Sequence, residues 1–124
     1  MKPNLMFLFF SFVSSVFGVS FFVFPTTVLA MYGSDGSAGE VQLVRIIGAL
    51  TLGYVVLALS SLKISDTRML RKILLTFLIP TFLTFCVFGY GILSGEDAGL
   101  PAWVNVGLFA AYFLGFGYSF LTTK

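Results

Sequence analysis

The amino-acid sequence contains four long apolar runs, and Arg45 is the only charged residue inside them. An ionisable side chain within a membrane span is a functional hypothesis by default. The guanidinium group of Arg45 can hold an anionic headgroup or substrate through paired hydrogen bonds. Two structural roles compete with that function: the side chain extends to the membrane interface, or it pairs with an acidic residue at the same depth. We favour these structural roles, because four acidic residues share that depth: Asp35, Glu40, Glu96 and Asp97.

Three further residues are expected at the level of Arg45, namely Tyr32, Trp103 and Asn105. Tryptophan and tyrosine are enriched at membrane–water interfaces, so Tyr32 and Trp103 are interpreted first as interfacial anchors. Asn105 is predicted near the outer end of the last helix. Together with Arg45 these residues form the candidate set for contact with a ligand or a lipid headgroup.

Residue types that usually carry catalysis or bind metals are scarce. The chain has no histidine and a single cysteine, Cys86. Neither aspartate nor glutamate occurs inside the apolar runs. Without histidine the commonest metal ligand and the usual general base at neutral pH are missing. We therefore expect a protein that is not an enzyme and has no catalytic, cofactor-binding or metal site.

The composition indicates that lipid is the main solvent of this chain. Hydrophobic residues make up 58% and charged residues 10%, with a mean hydropathy of +1.03. Soluble domains average about 45–50% apolar and about 25% charged residues. The basic residues are not gathered into a patch suited to nucleic acid, so no nucleic-acid partner is expected.

The four apolar runs predict four transmembrane helices at residues 5–31, 41–62, 73–93 and 102–121. Each run reaches the roughly 20 residues that a helix needs to cross the hydrocarbon core, and isolated strands would leave backbone groups unpaired in lipid. The connections are short, which makes successive helices antiparallel neighbours. The sequence therefore predicts an all-α integral membrane protein: one transmembrane domain over residues 1–124, folded as an antiparallel up-down-up-down four-helix bundle.

The charges predict the orientation of this bundle. Six basic residues fall on one side of the four spans: Lys2, Lys63, Arg68, Arg71, Lys72 and Lys124. The acidic residues named above fall on the other side. Because lysine and arginine concentrate in cytoplasmic loops, we expect a multi-pass protein of the inner (plasma) membrane with both termini in the cytoplasm.

The first run has an alternative interpretation as a secretory signal. Lys2 precedes an apolar stretch, and Val28-Leu29-Ala30 resembles a cleavage site. The stretch before Pro25 is about 20 residues long, whereas a signal core typically has 7–15. We therefore expect the segment to be kept as a span.

Small residues recur where helices could approach closely. The last run carries Gly107, Ala111, Gly115 and Ser119 at intervals of four, and the second run carries Gly48, Ala49 and Gly53. The first run carries Ser11, Ser14, Ser15 and Gly18. Such patterns allow close helix packing in lipid. The stripe on the last run is either an interface with a partner or ordinary packing inside this bundle, and we favour the packing.

Two prolines lie inside apolar runs, Pro25 and Pro80. Each removes a backbone donor and is expected to bend its helix. A bent helix can frame a cavity, but kinks are also tolerated for packing alone. We favour packing as the role of both prolines.

Several positions resemble a broad group of small bacterial four-span membrane proteins, loosely DoxX-like. They are Phe24-Pro25, Leu29, Tyr32-Gly33, Arg45-x-x-Gly48-Ala49 and Trp103 at the start of the last span. The resemblance implies the four-helix architecture and brings no activity with it.

The first functional hypothesis is therefore a non-catalytic accessory or assembly subunit. Its partners would be the lipid bilayer and either a larger membrane complex or further copies of itself. The alternative is binding or transport of a lipophilic small molecule or lipid within the bundle, with Arg45 and Asn105 near the outer mouth. An apolar cleft between helices near Pro25 or Pro80 would favour this alternative.

Overall fold

A computed structural model describes residues 3–95 and 99–124 of the chain. These residues form helices, with no strand among them: α1 Pro3–Val23, α2 Pro25–Met31, α3 Ala38–Ser61, α4 Thr67–Leu93 and α5 Leu100–Thr122. Four of them, α1, α3, α4 and α5, are long and apolar enough to cross a membrane. The all-α class and the four membrane-length helices are thus confirmed, and the chain is a small multi-pass membrane protein.

The predicted first span is not one continuous helix. It ends at Val23, and Phe24 leaves the helical region with φ −121° and ψ 51°. The ring of Pro25 disfavours helical geometry at the preceding residue, while proline itself suits the first turn of the next helix. Pro25 accordingly opens the short helix α2, so it breaks the span where a bend was expected.

The second proline has a milder effect. Pro80 lies inside α4, which continues on both sides of it. The hydroxyl of Thr81 donates to the carbonyl oxygen of Phe77 at 2.8 Å and to that of Leu78 at 3.0 Å. The carbonyl that loses its helical donor at Pro80 is that of Thr76, four residues earlier, so the Thr81 bonds are additional bonds in the same turn. Pro80 nevertheless lies within a continuous helix, inside the predicted span.

Helix α4 begins six residues earlier than the apolar run that predicted it, at Thr67 rather than at position 73. Asp66 caps it, and its carboxylate accepts a hydrogen bond from the backbone N–H of Arg68 at 2.9 Å. Arg68, Arg71 and Lys72 therefore belong to helix α4. The apolar run marks only the part of α4 that lipid can cover, because polar residues extend a helix into water without changing its backbone.

Helix α3 also begins before its apolar run, and its start carries a capping box. Ser37 Oγ accepts from Glu40 N at 3.3 Å, and Ser37 N donates to Glu40 Oε2 at 2.9 Å. This reciprocal arrangement satisfies two backbone donors of the first turn. The pattern Ser37-x-x-Glu40 is readable in the sequence, and the apolar run alone placed the start three residues too late.

The chain divides into two compact units. The N-terminal unit is Phe7–Leu62, and the C-terminal unit is Lys63–Lys124 together with the segment through Met6. In the N-terminal unit, Val28 and Leu29 of α2 pack against Val44 of α3. The prediction of a single domain over residues 1–124 stays a prediction.

In the C-terminal unit, α4 and α5 pack through pairs of aromatic rings. Phe77 stacks on Phe116 with ring centroids 4.9 Å apart. Further pairs follow at 5.1 Å and 5.9 Å, between Phe82 and Phe113 and between Phe88 and Phe109. Residue numbers rise along α4 as they fall along α5, so the two helices run antiparallel. The phenylalanine content of the sequence thus supplies the contact between these helices.

Candidate functional site

Helices α1 and α3 approach each other closely in the N-terminal unit. A Cβ atom on Gly48 would lie 2.8 Å from the carbonyl oxygen of Gly18 and 2.8 Å from the backbone nitrogen of Phe22. A Cβ atom on Gly18 would lie 2.9 Å from the side chain of Leu52. The structure therefore places Gly48 in packing within the unit, where only glycine fits.

The small-residue stripe of α5 divides into two halves. Gly115 faces Met6, whose Cε atom would lie 2.8 Å from an added Cβ, and Ser119 is fully buried. Gly107 and Ala111 are exposed. A helix has 3.6 residues per turn, so a stripe at intervals of four rotates by about 40° at each step. That rotation carries the stripe from the exposed side of α5 to its buried side.

The exposed half of the stripe forms what we call the α5 notch, defined by Gly107 and Ala111. An added Cβ on Gly107 would meet no atom within 4 Å. Large exposed side chains border the notch along the same face: Trp103 58%, Val104 50%, Leu114 67% and Tyr118 53%. The notch lies near the middle of α5.

A second exposed face runs along α3. Residues at helical spacing share it: Gln42, Arg45, Ala49, Gly53, Val56 and Ser60, all of them exposed. An added Cβ on Gly53 would meet no atom within 4 Å. The small residues Ala49 and Gly53 therefore lie on the same exposed face as Arg45.

Arg45 does not pair with the acidic residue nearest to it in sequence. The Glu40 carboxylate instead accepts hydrogen bonds from Ser34 Oγ and from Ser37 N, both at 2.9 Å. Arg45 is exposed, and it has no ion pair or hydrogen bond to another part of the described chain. Two of the predicted partners, Glu96 and Asp97, lie outside the described residues.

The remaining residues of the candidate contact set are divided between the two units. Tyr32 caps the end of α2 in the N-terminal unit and is 39% exposed. Trp103 and Asn105 belong to α5 in the C-terminal unit. Trp103 lies on the exposed face, whereas Asn105 is only 5% exposed and lies on the buried one. Neighbouring positions on a helix point in different directions, so a shared depth did not imply a shared face.

A contact that sequence reasoning missed joins the basic start of α4 to the end of α5. The guanidinium carbon of Arg71 lies 4.6 Å from the centroid of the Phe120 ring, which is a cation–π distance. Arg68 and Lys72 beside it are exposed. The sequence could have indicated this contact, because the predicted topology puts the start of the third span and the end of the fourth on the same side of the membrane.

No metal-binding group was found in the described part of the chain, where no three histidine, cysteine, aspartate or glutamate side chains come together. Cys86 is a free, exposed cysteine on α4. Comparison of the chain with protein-family models, with curated proteins and with solved structures returns no match. The resemblance to DoxX-like proteins therefore stays an expectation, and the class defined by the fold is a small multi-pass α-helical membrane protein.

Proposed function

We propose that this protein is a non-catalytic accessory or assembly subunit, whose α5 notch receives a transmembrane helix of a neighbouring membrane protein. The observation that carries the proposal is the exposed pair Gly107 and Ala111 at the middle of a membrane-length helix. Within the C-terminal unit, Gly115 and Ser119 already serve internal packing, so Gly107 and Ala111 are left for another molecule.

The physical argument rests on how helices associate in lipid. Apolar side chains gain nothing from leaving lipid for another apolar surface, so helix association depends on close van der Waals packing. Small residues permit that close approach, as in small-xxx-small pairs. Glycine inside a helix costs about 1 kcal/mol relative to alanine. A glycine exposed at mid-helix therefore has a cost that close packing against a partner would offset.

We place the protein in the inner (plasma) membrane with both termini in the cytoplasm. The basic residues at the start of α4 and at the C-terminus support this orientation through the bias of lysine and arginine towards cytoplasmic loops. In that orientation Arg45 lies near the outer surface. A lipophilic molecule bound within the bundle remains the second prediction, and nothing in the described residues favours it over the first.

The test is extraction of the protein from its source membrane into lipid-preserving particles, followed by intact-mass analysis of everything that copurifies. We expect a stoichiometric membrane-protein partner with the wild type and its loss with Gly107→Leu, which fills the notch. Gly53→Leu is the matched control, because it changes an equally open helical glycine on α3.

Two outcomes would contradict the proposal. One is a lone wild-type chain with no protein partner, and the other is a partner that survives Gly107→Leu and Ala111→Leu alike. A homo-oligomer that Gly107→Leu disrupts would support the notch as the interface and make the partner a second copy of the chain.

A further inference from the structure

We propose that the basic end of the α4–α5 pair binds the headgroups of anionic phospholipids in the adjoining leaflet. The basic end is defined by Arg68, Arg71 and Lys72 on α4 and by Lys124 after α5, all of them exposed. This surface is separate from the α5 notch and goes beyond the proposed function. Three observations support it: the packing that brings the basic residues together, their level at the hydrocarbon boundary, and their unneutralised charge.

The three basic residues of α4 share one side of the helix. Successive residues of a helix are turned by about 100°, so Arg68, Arg71 and Lys72 fall within an arc of about 100°. Arg71 shows where this arc lies, because its guanidinium carbon is 4.6 Å from the centroid of the Phe120 ring. The arc therefore lies beside the C-terminal end of α5.

The fourth basic residue is held at the same end by the last turn of α5. The backbone N–H and the hydroxyl of Thr123 both donate to the carbonyl oxygen of Ser119, at 3.0 Å and 2.7 Å. The chain thus stays bound to α5 up to the residue before Lys124. Because α4 and α5 run antiparallel, Lys124 lies about one helical turn beyond the pair of Arg71 and Phe120. All four cations accordingly belong to one surface.

The basic end lies at a boundary of the hydrocarbon core. The apolar part of α4 runs from Ile73 to Leu93 and extends about 30 Å, which matches the thickness of the hydrocarbon core, also about 30 Å. Arg71 and Lys72 directly precede this part, and Arg68 lies about one turn further out. At that level the neighbours of these side chains in the bilayer are the lipid headgroups.

The positive charge of the basic end is not neutralised within the described part of the chain. None of its four residues has an ion pair with a described residue. The nearest acidic residue in the sequence, Asp66, caps α4 by accepting from the backbone N–H of Arg68 at 2.9 Å. Cations in the first turns of a helix oppose its macrodipole, and like charges one turn apart repel each other. Anionic headgroups would offset both costs.

Arg71 is the residue best prepared to hold a phosphate. Its guanidinium carries five N–H donors in a planar fork that matches phosphate oxygens in pairs, and it makes no hydrogen bond to a described residue. The contact with the Phe120 ring restrains the side chain before a lipid arrives. A restrained side chain loses less conformational entropy on binding. We therefore expect Arg71 to contribute strongly to the preference for anionic lipids.

The test uses the purified full-length protein in nanodiscs of equal parts phosphatidylglycerol and phosphatidylcholine, and native mass spectrometry counts the lipids that stay bound. We expect the wild type to retain phosphatidylglycerol over phosphatidylcholine. Arg71→Gln should lower this preference about fivefold, since a basic residue near an anionic surface contributes about 1 kcal/mol. Arg71→Lys keeps the charge and should keep most of the preference. Arg45→Gln is the matched control, because it removes an exposed cation from α3, and it should behave like the wild type.

Two outcomes would overturn the proposal. A wild type without preference for phosphatidylglycerol would show that these charges serve only to orient the chain during insertion. Equal losses with Arg71→Gln and Arg45→Gln would show that the basic end is not a special surface.

A second measurement needs only the wild type, in case Arg71→Gln does not fold. Phosphatidylglycerol with a photoreactive headgroup should label the basic end in preference to the opposite end of the same helices, at Leu93 and Leu100. Equal labelling of both ends would refute the surface. Because these tests follow lipids and the previous one follows protein partners, the two proposals can fail separately.

Discussion

Gly18 and Gly48 bring the backbones of α1 and α3 together, since an added Cβ on Gly48 would lie 2.8 Å from the Gly18 carbonyl oxygen. The same Cβ would meet the backbone nitrogen of Phe22 at 2.8 Å. Both neighbours are backbone atoms, which cannot move aside as a flexible side chain can. The contact therefore leaves no room for a side chain at position 48.

Gly48→Ala should therefore destabilise the protein, although alanine is the better helix former. Overpacking costs about 1–3 kcal/mol, which exceeds the roughly 1 kcal/mol that the substitution gains in helix propensity. The measurement is reversible unfolding in mixed micelles. Gly53→Ala is the matched control and should be neutral or stabilising, because open space surrounds its Cβ. Equal stability of the two variants would show that the α1–α3 contact is not close.

Asp66→Ala should lower the stability of the start of α4. The Asp66 carboxylate accepts from Arg68 N at 2.9 Å, and removal of such a cap costs about 0.5–2 kcal/mol. Hydrogen exchange of the first-turn amides of α4 would measure the loss locally. Asp66→Asn keeps an accepting oxygen and should behave like the wild type. Identical exchange in all three proteins would contradict the capping role.

The contact between Arg71 and Phe120 should contribute about 0.5–1 kcal/mol, as expected for a cation–π pair at an exposed site. A double-mutant cycle with Arg71→Gln and Phe120→Leu should return that coupling energy in unfolding experiments. Lys72→Gln paired with Phe120→Leu serves as the control cycle, and its coupling should be close to zero. A coupling energy no larger than that of the control cycle would show that the Arg71–Phe120 contact does not stabilise the packing of α4 on α5.

The proposed orientation predicts which loops a membrane-impermeant maleimide can reach. In a Cys86→Ser background, Asp35→Cys should react in intact cells, because the loop before α3 lies outside. Lys63→Cys should react only after the membrane is opened, because the turn before α4 lies in the cytoplasm. The opposite pattern would invert the topology and place Arg45 near the cytoplasmic leaflet.

The sequence predicted the membrane-length helices because a segment that crosses lipid needs a distinctive, apolar composition. A segment that crosses lipid must be apolar over about 20 residues and helical. Each span can therefore be recognised from its own residues, without knowledge of the helices that pack against it. The ends of the helices were predicted less accurately. Helices α3 and α4 start before their apolar runs, at caps on Ser37 and Asp66, because hydropathy reports solvent and not backbone conformation.

The conformational preferences of proline also predicted that Pro25 and Pro80 would bend their helices. They did not predict that the two helices would respond differently. Phe24 leaves the helical region before Pro25, whereas α4 continues through Pro80 beside the hydrogen-bonding hydroxyl of Thr81. The chemistry of the proline ring is the same in both places. The structure, and not the proline itself, shows that the helix ends before Pro25 and continues through Pro80.

Only the tertiary structure decided which side of each helix is free. Along the α5 stripe, rotation of about 40° per step separates exposed Gly107 and Ala111 from Gly115 and buried Ser119. On α3, Gly48 is enclosed while Gly53 is open. Glycine looks the same at both positions in the sequence, and apolar residues on every side of a membrane helix leave no amphipathic signal. The sequence therefore determined that these helices belong in lipid, and helix-to-helix packing decided which glycines meet a neighbour and which remain exposed.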